Sequence, residues 1–122
     1  MTNPHLMICD DEAAICAIVG RVAVQLGYTV TEVTRSTDFD VAFARQKPDI
    51  VVLDVVMPDR DGIEIVMWLA KQGYDGKVLL VSGYDLQHAH NAVLLAECRG
   101  LNIIGTLRKP VPLRDLRQAL AA

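Results

Sequence analysis

No stretch of this sequence is long enough to cross a bilayer without a charge or a glycine interrupting it. Met1-Thr2-Asn3-Pro4-His5 has neither the basic start nor the long apolar stretch of a secretion signal. There is no low-complexity region and no fixed-period repeat. No basic block or arm appears, and the formal net charge is -3, which argues against nucleic acid as a direct partner. Cysteine is sparse: Cys9, Cys16 and Cys98 are an odd number without metal-type spacing. Cys9 and Cys16 fall in apolar patterns and read as small buried thiols. These absences lead us to expect a reduced, cytoplasmic setting with no membrane association. What remains is a 122-residue chain, 52% hydrophobic. That is the size of one domain, and too apolar to stay disordered.

Short apolar runs alternate with segments of helical period. His5 to Cys9 is the first strand expected. Ile15, Ile18, Val19, Val22 and Leu26 follow at helical spacing, with Gly27 as a stop. Tyr28 to Val33 is rich in β-branched residues and reads as a second strand. Ser36 is positioned to cap a short helix through Phe39, Ala42 and Phe43. Ile50 to Asp54 is continuously apolar before its acid, as in a strand buried on both faces. A turn over Met57-Pro58-Asp59-Arg60-Asp61-Gly62 precedes a helix bearing Ile63, Val66, Met67 and Leu69. Lys77 to Val81 is the fourth strand, Leu86 to Arg99 a helix, and Asn102 to Leu107 the last strand. Pro112 suits the first turn of a closing helix with Leu113, Leu116 and Leu120. Five strands alternating with five helices predict a parallel sheet covered on both faces.

The charged residues fall at telling places in this order. Asp10-Asp11 ends the first apolar run, Asp54 the third, and Lys109 follows the last. Parallel strands bring all four groups to one edge, beyond the carboxyl ends, where open α/β sheets bind ligands. Clustered carboxylates repel unless a proton or cation compensates. A divalent metal suits them, and a carboxylate facing a metal and an ammonium can accept a phosphoryl group. Plainer readings stand beside this one. Asp10-Asp11 alone can cap the following helix, Ser82-Gly83 alone is an ordinary turn, and Asp59, Arg60 and Asp61 read as a solvated turn. His5, His88 and His90 read as surface or satisfied histidines, and Trp68 and Met67 as helix packing.

Cys9-Asp10-Asp11-Glu12, Leu53-Asp54-Val55-Val56-Met57-Pro58-Asp59-Arg60-Asp61-Gly62, Val81-Ser82-Gly83 and Lys109-Pro110 together resemble the receiver domain of two-component response regulators. The resemblance covers the whole chain, so residues 1–122 are expected to form a single receiver domain. It implies a flavodoxin-like, doubly wound, five-stranded parallel sheet of order 2-1-3-4-5 with five helices. It implies that Asp54 accepts a phosphoryl group from a phosphohistidine on a sensor histidine kinase or histidine phosphotransfer protein. Asp11, Asp54 and the backbone carbonyl of Val56 would bind Mg2+ directly, and Asp10 mostly through a metal-bound water. Lys109 would neutralise a phosphoryl oxygen, and Ser82 would donate to another. The bond from Lys109 to Pro110 would be cis. Phosphorylation would switch the surface of the fourth helix, fifth strand and fifth helix, which meets a downstream effector or a second copy in a homodimer. Such a domain catalyses its own phosphorylation and slow dephosphorylation, but it is not a turnover enzyme. The chain has no room for an output domain, so it acts alone or is a fragment.

The sequence also departs from the family. Thr106 stands where many receivers carry Tyr or Phe, and Tyr84 is the candidate to cover the site instead. Val56 lacks the polar group that positions an attacking water, which predicts slow self-dephosphorylation. The stretch from Ser82 to Lys109 is several residues longer than usual, and Ala92, Val93, Leu94, Leu95 and Ala96 make its helix unusually apolar. The alternative function is a degenerate receiver that docks partners without regulated phosphorylation. An aspartyl-phosphate phosphatase is disfavoured, because Val56 replaces the second acid such enzymes use. A flavin module is disfavoured, because Asp10-Asp11 would repel its phosphate.

Overall fold

The computed structural model describes residues 3–83 and 86–121; the suggested role of Tyr84 lies outside the described residues. Five parallel strands form one sheet in the order β2-β1-β3-β4-β5. They are β1 His5–Cys9, β2 Thr29–Val33, β3 Ile50–Asp54, β4 Lys77–Ser82 and β5 Asn102–Arg108. The helices are α1 Ala13–Gln25, α2 Phe39–Arg45, α3 Gly62–Lys71, α4 Leu86–Cys98 and α5 Leu113–Ala121. The expected doubly wound, flavodoxin-like arrangement is the observed one. Among the described residues no helix is long and apolar enough to cross a membrane.

Alternation along each strand divides the core in two. Met7, Cys9, Val51, Leu53, Val78 and Leu80 face α2, α3 and α4, meeting Phe39, Phe43, Ile65, Leu69, Ala92 and Ala96. Leu6, Ile8, Ile50, Val52, Leu79 and Val81 face α1 and α5, meeting Cys16, Val19, Ala23, Leu116 and Leu120. Every residue of β1 and β3 is buried, so these runs carry no polar alternation. Cys9 and Cys16 are buried free thiols, as expected, and burial pushes both up to about 12.

Two local expectations are corrected and two gain detail. Ser36 caps nothing: it opens a 3-10 turn, Ser36–Asp38, and among the described residues its buried hydroxyl has no hydrogen-bond partner. Tyr28 lies outside β2, where its hydroxyl donates to the Leu120 carbonyl at 2.7 Å and ties the chain to α5. The last strand has a bulge: Val78 pairs with Ile103 and Leu79 with Gly105, leaving Ile104 extra. Ile103 thus packs toward one core and Ile104 toward the other. The apolar run of α4 is mostly turned inward, with Ala92 and Ala96 buried, Val93 and Leu95 half-buried and Leu94 alone exposed.

Candidate phosphoacceptor site at the carboxyl edge of the sheet

Backbone bonds fix the rim where the strands end. The Asp10 N–H donates to the Val33 carbonyl at 3.0 Å, Val55 N–H to Val81 at 3.0 Å, and Lys109 N–H to Ser82 at 2.7 Å. Strand pairing sets Asp54 beside Val81 and Ser82 beside Arg108. The Lys109–Pro110 peptide is cis. The loop after β3 folds back tightly, since Gly62 N–H donates to the Val55 carbonyl at 2.9 Å. A Cβ on Gly62 would stand 2.5 Å from that oxygen and 2.8 Å from the Asp54 carbonyl, so only glycine permits the approach.

The acids converge there. One carboxylate oxygen from each of Asp10, Asp11 and Asp54 lies within 4.8 Å of the others. Asp10 is fully buried and Asp54 3% exposed, while Asp11 is exposed. Lys109 reaches in from just beyond the end of β5. Its Nζ lies 3.1 Å from Asp54 Oδ2, 3.2 Å from Glu12 Oε1 and 3.4 Å from Asp10 Oδ1. Asp54 Oδ1 accepts from the Val56 N–H at 3.2 Å, and Asp10 Oδ1 from the Glu12 N–H at 2.9 Å. Asp10 Oδ2 lies 3.1 Å from the ammonium. It is out of alignment, however, and among the described residues it has no hydrogen-bond partner.

One ammonium therefore serves three carboxylates. Burial pushes Asp54 up from 3.8 to about 6, and repulsion from Asp10 adds to it, against the pull of Lys109 and the Val56 N–H. Burial likewise raises Asp10, opposed by the Glu12 N–H and Lys109. Partial burial works against the charge on Lys109, but hydrogen bonding to Asp10 and attraction to Asp54 outweigh it and hold the lysine above its ordinary value. Burial raises the acids and the surplus of carboxylates raises the lysine, so the cluster has room for further positive charge. A buried carboxylate oxygen without a donor, beside two further acids, fits a hard divalent cation, whose preferred ligands are oxygens.

Asp10, Asp11, Asp54 and Lys109 are thus brought together, with Ser82 buried at the adjoining strand end. Val56 is 52% exposed next to Asp54, and Thr106 is exposed on β5. The capping reading of Asp10-Asp11 does not hold: Glu12 is the N-cap residue of α1, and its side chain makes no capping bond. That side chain turns to Lys109, a role the sequence reading missed although Glu12 stands in the same acidic run. The solvated-turn reading of Asp59-Arg60-Asp61 also needs correction. Arg60 pairs with Asp40 of α2. Asp61 caps α3 through the Ile63 N–H at 3.2 Å and meets His88 Nε2 of α4 at 2.8 Å.

Residues 6–121 match the family described as the response regulator receiver domain. The chain belongs to this family. The receiver is 23% identical over 120 residues to sporulation initiation phosphotransferase F of Bacillus subtilis, covering 98% of this chain and 93% of that protein. It is 30% identical over 80 residues to the probable transcriptional regulatory protein TcrX of Mycobacterium tuberculosis, covering 66% of this chain but only 34% of that protein. A crystal structure of a response regulator from Colwellia psychrerythraea superposes with a TM-score of 0.81 at 32% identity, covering 98% of this chain and 94% of that one. Receiver domains are signalling modules of two-component systems; they interact with histidine kinases and downstream effectors and generally bind Mg2+ at an acidic pocket. The Asp10, Asp11 and Asp54 carboxylates are grouped closely enough that they could hold a metal ion.

Proposed function

We propose that this receiver is a phosphorylatable switch whose acceptor is Asp54. The observation that carries the reading is the 3.1 Å approach of Lys109 Nζ to Asp54 Oδ2 inside a buried acidic cluster. The donor is a phosphohistidine on a sensor histidine kinase or histidine phosphotransfer protein. An Asp54 carboxylate oxygen attacks phosphorus, the P–N bond breaks as the P–O bond forms, and the histidine leaves with the electron pair of the broken bond. Lys109 stays within reach of Asp54 and offsets charge developing on a phosphoryl oxygen. Ser82 donates to a second one. Mg2+ held by Asp10, Asp11, Asp54 and the Val56 carbonyl would supply the positive charge that one ammonium cannot. The rim groups Ser82 and Lys109 are joined by a backbone bond, so their movement toward the phosphoryl group biases α4, β5 and α5. That surface then meets a downstream effector, or a second copy, in the cytoplasm. With Thr106 on β5, the switch does not depend on an aromatic ring swinging inward.

Intact-mass measurement after incubation with acetyl phosphate and Mg2+ tests the assignment. We expect a single phosphoryl adduct on the native chain, none on Asp54→Asn, and none with a chelator. Equal labelling of the variant would move the acceptor elsewhere.

A further inference from the structure

A second feature lies away from the acidic edge. The outward side of α3 carries an open hollow of about 460 Å³, lined by Arg60, Glu64, Met67, Trp68, Ala70, Lys71 and Arg99. Its floor is apolar. Trp68 stands edge-on to Phe39 and Phe43, with centroids 5.9 and 5.2 Å away, so one side of its ring is packed against the core. It is nonetheless only half-buried, and Met67 beside it is 37% exposed. The rim is cationic, with two arginines and a lysine against one glutamate. Arg60 is engaged by Asp40. Among the described residues, Lys71 and Arg99 have no ion-pair partner. A chain with formal charge -3 thus keeps two unneutralised cations beside its one tryptophan and an exposed methionine. Tryptophan, methionine and arginine are the residue types enriched where proteins dock.

The geometry points to this hollow as a docking site for an acidic peptide segment of a partner protein, anchored by an apolar side chain on Met67 and Trp68. Its carboxylates meet Lys71 and Arg99 at the ends of α3 and α4. The apolar floor sets where the segment anchors, and the two cations set the sign of the partner. Of the lining, only Arg60 comes from the loop beside the phosphoacceptor edge, and occupation of the hollow does not require phosphorylation.

Trp68 is the chain's single tryptophan, so its emission reads the hollow directly. The probe is a short synthetic peptide with aspartates and glutamates flanking two leucines. It is titrated into the full chain at low and raised salt, and calorimetry reads the same binding. We expect a saturable signal that weakens by about tenfold or more in Lys71→Glu/Arg99→Glu, and that weakens with salt. Both side chains are exposed, and Lys71→Ala/Arg99→Ala, expected to weaken binding less, separates charge from any misfolding. Replacing the leucines by serines should abolish binding. The result should be unchanged in Asp54→Asn and without Mg2+, which separates this proposal from the phosphoacceptor reading. Absence of saturation, equal affinity of the charge-reversed variant, or equal binding of the serine peptide would overturn the proposal. An equal response to inorganic phosphate alone would replace the peptide by a bare anion.

Discussion

Replacing Asp54 by asparagine in metal-stripped protein should make the fold more stable, and the gain should depend on pH. Asp54 is 3% exposed, and its carboxyl is raised from 3.8 to about 6, chiefly by burial and then by Asp10. Holding it ionised in the fold therefore costs about 3 kcal/mol relative to the unfolded chain. Asparagine keeps the shape and removes the charge, and the raised value already counts the pull of Lys109. The gain at high pH is therefore about 3 kcal/mol, or roughly 10 °C in Tm. A carboxyl with a raised folded pKa binds more protons folded than unfolded between about pH 4 and pH 6. The native chain therefore loses stability as pH rises through that window. The advantage of the variant should be full above about pH 7 and shrink toward zero near about pH 4. Burial lowers His5, so its protonation favours unfolding as pH falls, but this is common to both proteins and cancels in their difference. Urea unfolding followed by Trp68 emission in chelator measures the gap. Added Mg2+ should then stabilise the native chain and not the variant, by about 2.7 kcal/mol at a hundredfold excess over Kd, closing or reversing the difference. A variant less stable than the native chain at about pH 8 without metal, or a gap independent of pH, would refute the charge-deficit argument.

Val56→Asn should shorten the phosphoryl half-life by about tenfold, because an exposed amide two residues after Asp54 can orient the attacking water; decay of the adduct mass after donor removal measures it, and an unchanged half-life removes the role assigned to this position. Gly62→Ala should cost about 2–3 kcal/mol, because the new Cβ meets backbone rather than a movable side chain; it should also slow labelling by acetyl phosphate, since the colliding atoms belong to Asp54 and Val55. Phe43→Ala should cost about 3–5 kcal/mol in urea unfolding, since Phe43 lies within 5.9 Å of the Phe39, Trp68 and Tyr74 rings; labelling of Asp54 should survive at temperatures where the variant stays folded.

The strands that built the site were also the easiest to read. β1, β3 and most of β4 are buried on both faces, so each stands out as an unbroken apolar run with a polar residue at its carboxyl end. That coincidence made Asp10, Asp54 and Ser82 legible before any coordinates. The half-buried edge strand β5 was read less well. Ile103-Ile104-Gly105 is apolar throughout, so nothing in the letters marks Ile104 as the bulged residue; the mark lies in its pairing with β4. Ser36 failed as a cap for a related reason. Capping depends on where the first helical N–H groups point, and a 3-10 turn intervenes before α2. The pairs Arg60–Asp40 and Asp61–His88 were invisible because their members lie 20 and 27 residues apart and meet only once α2, α3 and α4 have docked.

The acidic edge is also where this sequence least agrees with its own stability. A sheet whose central strands are almost entirely apolar has little reason to end two of them in buried acids, and the fold offers one ammonium and a few backbone N–H donors in return. Among the described residues Asp10 Oδ2 is left without a hydrogen bond, and Asp54 is pushed up to about 6. A site built for stability alone would replace one acid with an apolar residue, as buried ion pairs often tolerate. The unbalanced negative charge instead gives a cation that enters a differential free energy to act on, which the proposed switch requires. The strain is local, because backbone bonds clamp the strand ends on either side. On the proposed function, a change at Asp54 passes through Ser82 and Lys109, joined by a 2.7 Å backbone bond, into the segments that carry α4 and α5.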